Sequence, residues 1–138
     1  MTPEDPRESA WRGEPYAWQG QGPQFDPATG KPRFDEVFAR QLMGKYVLVG
    51  FSYYSDADDA EHRQFLEQRQ FHGDVIRVSE REGLVLRLRN SGEEMKLPPD
   101  FRPFIKARPG SYTLSSTKEV VYDPDYVCTW CMHKKATP

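Results

Sequence analysis

Residues that build redox or metal centres are scarce here: two cysteines and three histidines in 138 residues. Two thiols cannot make a disulfide framework, so a reducing, cytoplasmic setting is the expectation. Long apolar runs are also missing. Nothing approaches the roughly 18 consecutive apolar residues of a spanning helix. The opening "MTPEDPRESAWRGEPYAWQG" has neither a basic start nor an apolar centre, so no secretory leader and no membrane partner are expected. Neither sign of charge dominates. Nineteen Lys and Arg against 21 Asp and Glu leave a net −2, which gives no global electrostatic drive toward nucleic acid or an anionic bilayer. The GxSxG, HExxH, GxGxxG and P-loop signatures are absent, and no spacing of Ser, Asp and His singles out a triad. Catalysis is therefore not expected, and no cofactor.

Proline is plentiful but unevenly placed. Pro3, Pro6, Pro15, Pro23, Pro27 and Pro32, interleaved with Gly13, Gly20, Gly22 and Gly30, prevent a helix or central strand from growing over residues 1–33. That stretch reads as a tail, disordered or draped on the domain through Trp11, Tyr16, Trp18 and Phe25. Residues 34–138 read as one domain. In "RFDEVFARQLMGKYV", Phe34, Val37, Phe38, Gln41 and Leu42 follow helical spacing, acidic residues open the first turn, and Gly44 is a stop. The spacing predicts a short helix over about 35–43.

From Lys45 the period drops to two. "KYVLVGFSYY" reads as a buried strand, and "FLEQRQFHGDVIRVSE" as a long one with Gly73 at a bulge or bend. "LVLRLRN" alternates, with Leu84, Leu86 and Leu88 on one side and Val85, Arg87 and Arg89 on the other. Gly92 marks a hairpin, and "EEMKLPPD" returns with Met95 and Leu97 inward. "SYTLSS" and "VVYDPDYVCTWCMHK" supply further strands, bent at Pro124. Turn signals every eight to twelve residues suggest a closed architecture of five to seven strands, since open edges would otherwise be exposed.

Four features bear on function. Cys128 and Cys131 form a CxxC followed by His133, but on a strand positions i and i+3 point to opposite faces, so the two sulfurs are expected apart. That disfavours a redox pair, and zinc would need ligands that CxxC alone does not supply, so no metal site is expected. "DADDAE" places Asp56, Asp58, Asp59 and Glu61 together. Glu61 stands where a calcium loop needs glycine, so the segment reads as a solvated acidic loop or a contact for a basic partner. Gln68, Gln70 and His72 share one strand face, outward if Phe71 faces the core. They would present hydrogen-bonding groups without net charge. Arg77, Arg87 and Arg89 form a basic row among Glu80, Glu82, Glu93 and Glu94, where cross-strand pairing competes with nucleic-acid binding.

The stretch "GKYVLVGFSYY…HGDVIRVSEREGLVLRLRNSGEEMKLPPD", residues 44–100, resembles SH3-like and Sm-like small β-barrels in its order of strand, loop, strand and glycine hairpin. The ending "DPDYVCTW" is similar to that of small uncharacterised bacterial proteins. The resemblance implies a mainly β, strongly bent antiparallel barrel with one short N-terminal helix. It brings no functional residues with it. The reading is a cytoplasmic, non-catalytic binding or adaptor module acting through protein contacts. The alternatives are an immunity-type protein that neutralises a toxin and a barrel that binds single-stranded nucleic acid.

Overall fold

A computed structural model describes residues 13–55, 64–115 and 117–134, with His133 and Lys134 described by their backbone alone. The elements run β1 (Glu14–Pro15), α1 (Glu36–Leu42), β2 (Tyr46–Ser55), β3 (Phe65–Ser79), β4 (Gly83–Leu88), β5 (Glu94–Leu97), β6 (Phe104–Lys106), β7 (Ser111–Thr113), β8 (Val120–Tyr122) and β9 (Tyr126–Lys134). Seven strands form one sheet in the order β1-β6-β9-β2-β3-β4-β5, and β7 and β8 form a separate hairpin.

The chain is thus mainly β with a single short helix among the described residues, but the all-antiparallel barrel is not what forms. β9 lies parallel to β2 along its whole length, from Val47 opposite Tyr126 to Ser55 opposite Lys134. A parallel neighbour must be reached by a crossover, and here the chain travels through six strands before returning beside β2. The returning strand inserts between β6 and β2. The sheet stays open, with β1 and β5 at its edges.

Two apolar layers flank the sheet. On one face Val47, Val49, Val75, Leu84, Leu86, Leu97, Phe104 and Cys128 meet Phe38, Ala39 and Leu42 of α1 and Phe101. Rings dominate this layer: Phe38 contacts Tyr16, Phe101, Phe104 and Tyr126 at centroid distances of 4.7 to 6.1 Å. On the other face Tyr46, Leu48 and Val127 pack against Tyr112, Leu114 and Val121 of the β7–β8 hairpin. Both faces of the sheet centre are therefore covered, which explains why "YVLV" is apolar throughout.

The helix buries a stripe different from the one its pattern suggests. Phe38, Ala39 and Leu42 are buried, whereas Val37 is exposed and Gln41 hydrogen-bonds Gln19. Asp35 lies on that buried side, where its carboxylate serves as the N-cap by accepting from Phe38 N–H at 3.0 Å. The other carboxylate oxygen accepts from the Tyr16 hydroxyl at 2.7 Å and from Gln19 N–H at 2.8 Å. Residues 14–19 are thereby tied to the helix start.

Gly73 is not at a bulge; the irregularity falls between Val75 and Arg77. Gly73 instead sits where β2 and β4 flank β3 together, and a Cβ there would lie 2.4 Å from the Arg87 carbonyl oxygen. Gly92, at a φ of 74°, makes the turn into β5.

Candidate protein-docking surface

The row of Gln68, Gln70 and His72 does not face solvent as expected. Gln70 and His72 are buried, because the β7–β8 hairpin lies across that face of the sheet. His72 Nε2 is 2.9 Å from Glu119 Oε1, and Nδ1 is 2.7 Å from the Tyr46 hydroxyl. An ionised carboxylate can only accept, so Nε2 carries a proton in this contact, and in a neutral imidazole Nδ1 then accepts from the tyrosine. The Gln70 amide oxygen accepts from the Ser115 backbone N–H at 2.7 Å, and the Ser115 hydroxyl reaches both Gln68 and Gln70. These residues bind the hairpin to the sheet.

The network continues outward. The Arg89 guanidinium stacks on the Tyr46 ring, 3.5 Å from its centroid, and holds Asp74 through two nitrogens. Burial, opposed in part by Arg89, raises the Tyr46 hydroxyl above its ordinary pKa. Arg77 pairs with both Glu82 and Glu94. Arg87 stands opposite Glu94 on β5 and Asp74 on β3. The arginines thus share one face, as expected, but Arg77 and Arg89 direct their guanidinium groups to carboxylates of the same chain. Pairing with those partners raises both.

Asp56, Asp58, Asp59 and Glu61 lie outside the described residues. The two cysteines lie as strand alternation requires: Cys128 is buried among the core rings and Cys131 is exposed. Burial pushes the Cys128 thiol up to about 12, with the Trp130 side chain acting against it. Among the described residues no group of three His, Cys, Asp or Glu side chains is arranged to hold a metal ion.

Two other regions carry recognisable surfaces. An open cleft of about 790 Å³ lies between residues 18–33 and α1, lined by Trp18, Lys31, Arg33, Glu36, Arg40 and Glu80. Its charges are mixed, and Arg33 is occupied: it donates to the carbonyls of Gln21 and Pro23 and lies over the Trp18 ring. The cleft therefore shows no preference for one class of ligand.

The second is a three-stranded arm. β6 pairs with β9 only over Tyr126–Cys128, and β4 pairs with β3 only from Gly73 onward. Beyond those points β9, β2 and β3 continue as a ribbon of their own. One face carries Phe51, Tyr53, Phe71, Trp130 and Met132 together, by the register of the three strands. Phe51 meets Phe71 edge to face at 5.9 Å, and Arg69 lies over Tyr53. Met132 is 42%, Phe65 58% and Leu66 48% exposed, so large apolar groups reach solvent at this end. Residue-level patterning placed these rings in strands but gave no reason to expect them past the end of the core.

No family model matches the chain, and no curated protein or solved structure does either.

Proposed function

We propose that this chain is a non-catalytic binding module that acts through protein–protein contacts, with the projecting end of β2, β3 and β9 as its contact surface. The observation that supports this reading is the exposure of Phe65, Leu66 and Met132 beside an aromatic sheet face. Apolar side chains clustered at the end of an element are a common mark of an interaction site, whereas scattered ones are not. Aromatic residues and Met are also the types enriched in the cores of such interfaces. The SH3-like and Sm-like resemblance and a cytoplasmic setting remain part of this reading, as a small β scaffold that presents side chains rather than reacting groups.

The nucleic-acid alternative draws less support, because Arg77 and Arg89 already spend their charge on Glu82, Glu94 and Asp74. An immunity-type role would use the acidic segment 56–61 and predicts binding that weakens steeply with salt. The test uses the 138-residue chain immobilised beside a Phe65→Asp/Leu66→Asp variant and exposed to nuclease-treated extract. A protein retained by the first and lost from the second is the expected result. Equal retention by both, or retention of nucleic acid alone before nuclease treatment, overturns the reading.

A further inference from the structure

The outer side of β9 beyond Cys128 is an open strand edge, and its polarity can be worked out. Ala107 N–H donates to the Asp125 carbonyl, on the β6 side of β9. On the β2 side, Val75 N–H takes the Lys45 carbonyl and Ser55 N–H gives to Gln64, so the odd residues of β2 turn to β3 and its even residues to β9. Strand alternation then turns the even residues of β9 toward β2 and its odd residues outward. Thr129, Cys131 and His133 therefore direct backbone N–H and C=O away from the sheet. Among the described residues nothing pairs with them.

Open edges are ordinarily blunted by charge, proline, bulges or brevity. Other open runs of this sheet follow that rule. β1 has two residues and contains Pro15, β5 carries Glu94 and Lys96 and is followed by Pro98, and the outer edge of β3 before Gly73 carries Glu67 and Arg69 beside an irregularity opposite Tyr53 and Tyr54. Positions 129–132 of β9, "TWCM", have none of these devices.

We infer that this edge pairs with the same edge of a second copy of the chain, antiparallel about a two-fold axis at Cys131. Three features of the strand select that occupant. Residues opposite each other in an antiparallel pair must share a face, so the positions must sum to an even number, and a register centred on one residue satisfies this. Cys131 has outward N–H and C=O groups, so the two copies of it exchange both hydrogen bonds. Trp130 then faces Met132 of the second copy twice on the aromatic face, a sulfur–aromatic pairing. Like charges do not meet, because 129–132 contains none and His133 stands opposite Thr129 of the second copy. The available length agrees: the centred register uses positions 129–133, and the pairing stops where Phe104 of β6 occupies the place opposite Cys128. The two sheets join into one, and the aromatic faces of both arms lie on the same side. This inference shares Met132 with the partner reading above but makes no use of the tip residues Phe65 and Leu66, so the Phe65→Asp/Leu66→Asp chain, which should still dimerise, separates the two.

The experiment is sedimentation velocity of the full chain from low to high micromolar concentration, with a short bis-maleimide added in parallel. The expected result is a concentration-dependent dimer in which Cys131, the exposed thiol, is cross-linked to its symmetry mate. Cys131→Pro removes the N–H on the axis and should leave a folded monomer by circular dichroism. Should that variant not fold, Met132→Asp, at an exposed side chain, should do the same by placing a carboxylate against Trp130. A wild-type chain that stays monomeric throughout overturns the inference. So does a dimer that survives Met132→Asp, or one whose Cys131 residues do not cross-link.

Discussion

His72 Nε2 lies 2.9 Å from Glu119 Oε1, joining a strand of the main sheet to a hairpin residue 47 positions further along the chain. The imidazole is buried, and its other nitrogen accepts from Tyr46 within the same sheet. A polar pair in this position holds the β7–β8 hairpin over Leu48 and Val127, so it acts on packing as well as on hydrogen bonding.

The two partners of His72 should differ in cost. Tyr46→Phe leaves a buried ring nitrogen without a donor, which costs about 1–2 kcal/mol. Glu119→Ala leaves Nε2–H at a position that water can approach, since Glu119 is one-third exposed, and should cost under about 1 kcal/mol. His72→Ala removes both bonds and opens a void, for about 2–4 kcal/mol. Urea midpoints check the order. Amide exchange at Tyr112 and Leu114 should accelerate most in His72→Ala; a change confined to global unfolding would show that the hairpin is not held by this residue.

Asp35 should be worth more than an ordinary helix cap. It satisfies Phe38 N–H and also the Tyr16 hydroxyl and Gln19 N–H. Losing a cap costs about 1 kcal/mol, and a half-buried hydroxyl left without its acceptor adds about 1 kcal/mol. Asp35→Ala is expected to cost about 2–3 kcal/mol by denaturant titration. It should also expose residues 14–33 to limited proteolysis before the rest of the chain. Asp35→Asn keeps an acceptor for the cap and should recover roughly half of the loss.

Alkali should unfold the protein progressively. Cys128 is pushed from an ordinary 9.0 to about 12, chiefly by burial. Above pH 9 the unfolded chain releases this proton while the native chain keeps it. The unfolded state then binds fewer protons, so stability falls as pH rises from about 9 to about 12. Burial also raises Tyr46, Tyr112 and Tyr126, which extends the fall above pH 10. Cys128→Ala should be less stable at neutral pH, by about 1–2 kcal/mol for the cavity, yet show a shallower decline between pH 9 and 10. Parallel slopes for the two proteins in that interval would show that the thiol does not drive it.

Local rules made several elements legible. Leu84 and Leu86 on one side, Met95 and Leu97 returning beside them, and Gly92 at the turn specify the β4–β5 hairpin, because alternation and a left-handed glycine are properties of neighbouring residues. The same two-residue period placed Cys128 and Cys131 on opposite faces, and the fold buried the first and exposed the second. Helical spacing with Asp35 and Glu36 at the first turn announced a helix, though not that Asp35 would be its N-cap with the carboxylate turned inward to meet Tyr16.

What the amino-acid sequence determined alone is therefore most of the longer strands, a short helix near residues 35–43 and the side of each such strand on which a side chain stands, since those follow from backbone periods of two and 3.6 residues, whereas the short strands β1 and β6 exist only by pairing with distant neighbours. Tertiary structure decided what lies against each side. Gln70 and His72 look like a solvent row until a hairpin from residues 111–122 covers them. Whether the sheet closed was likewise set by β9 settling parallel to β2, a pairing between residues 79 positions apart that no local pattern encodes. Contacts of that separation depend on the whole chain being folded, and so does the bare edge they leave behind.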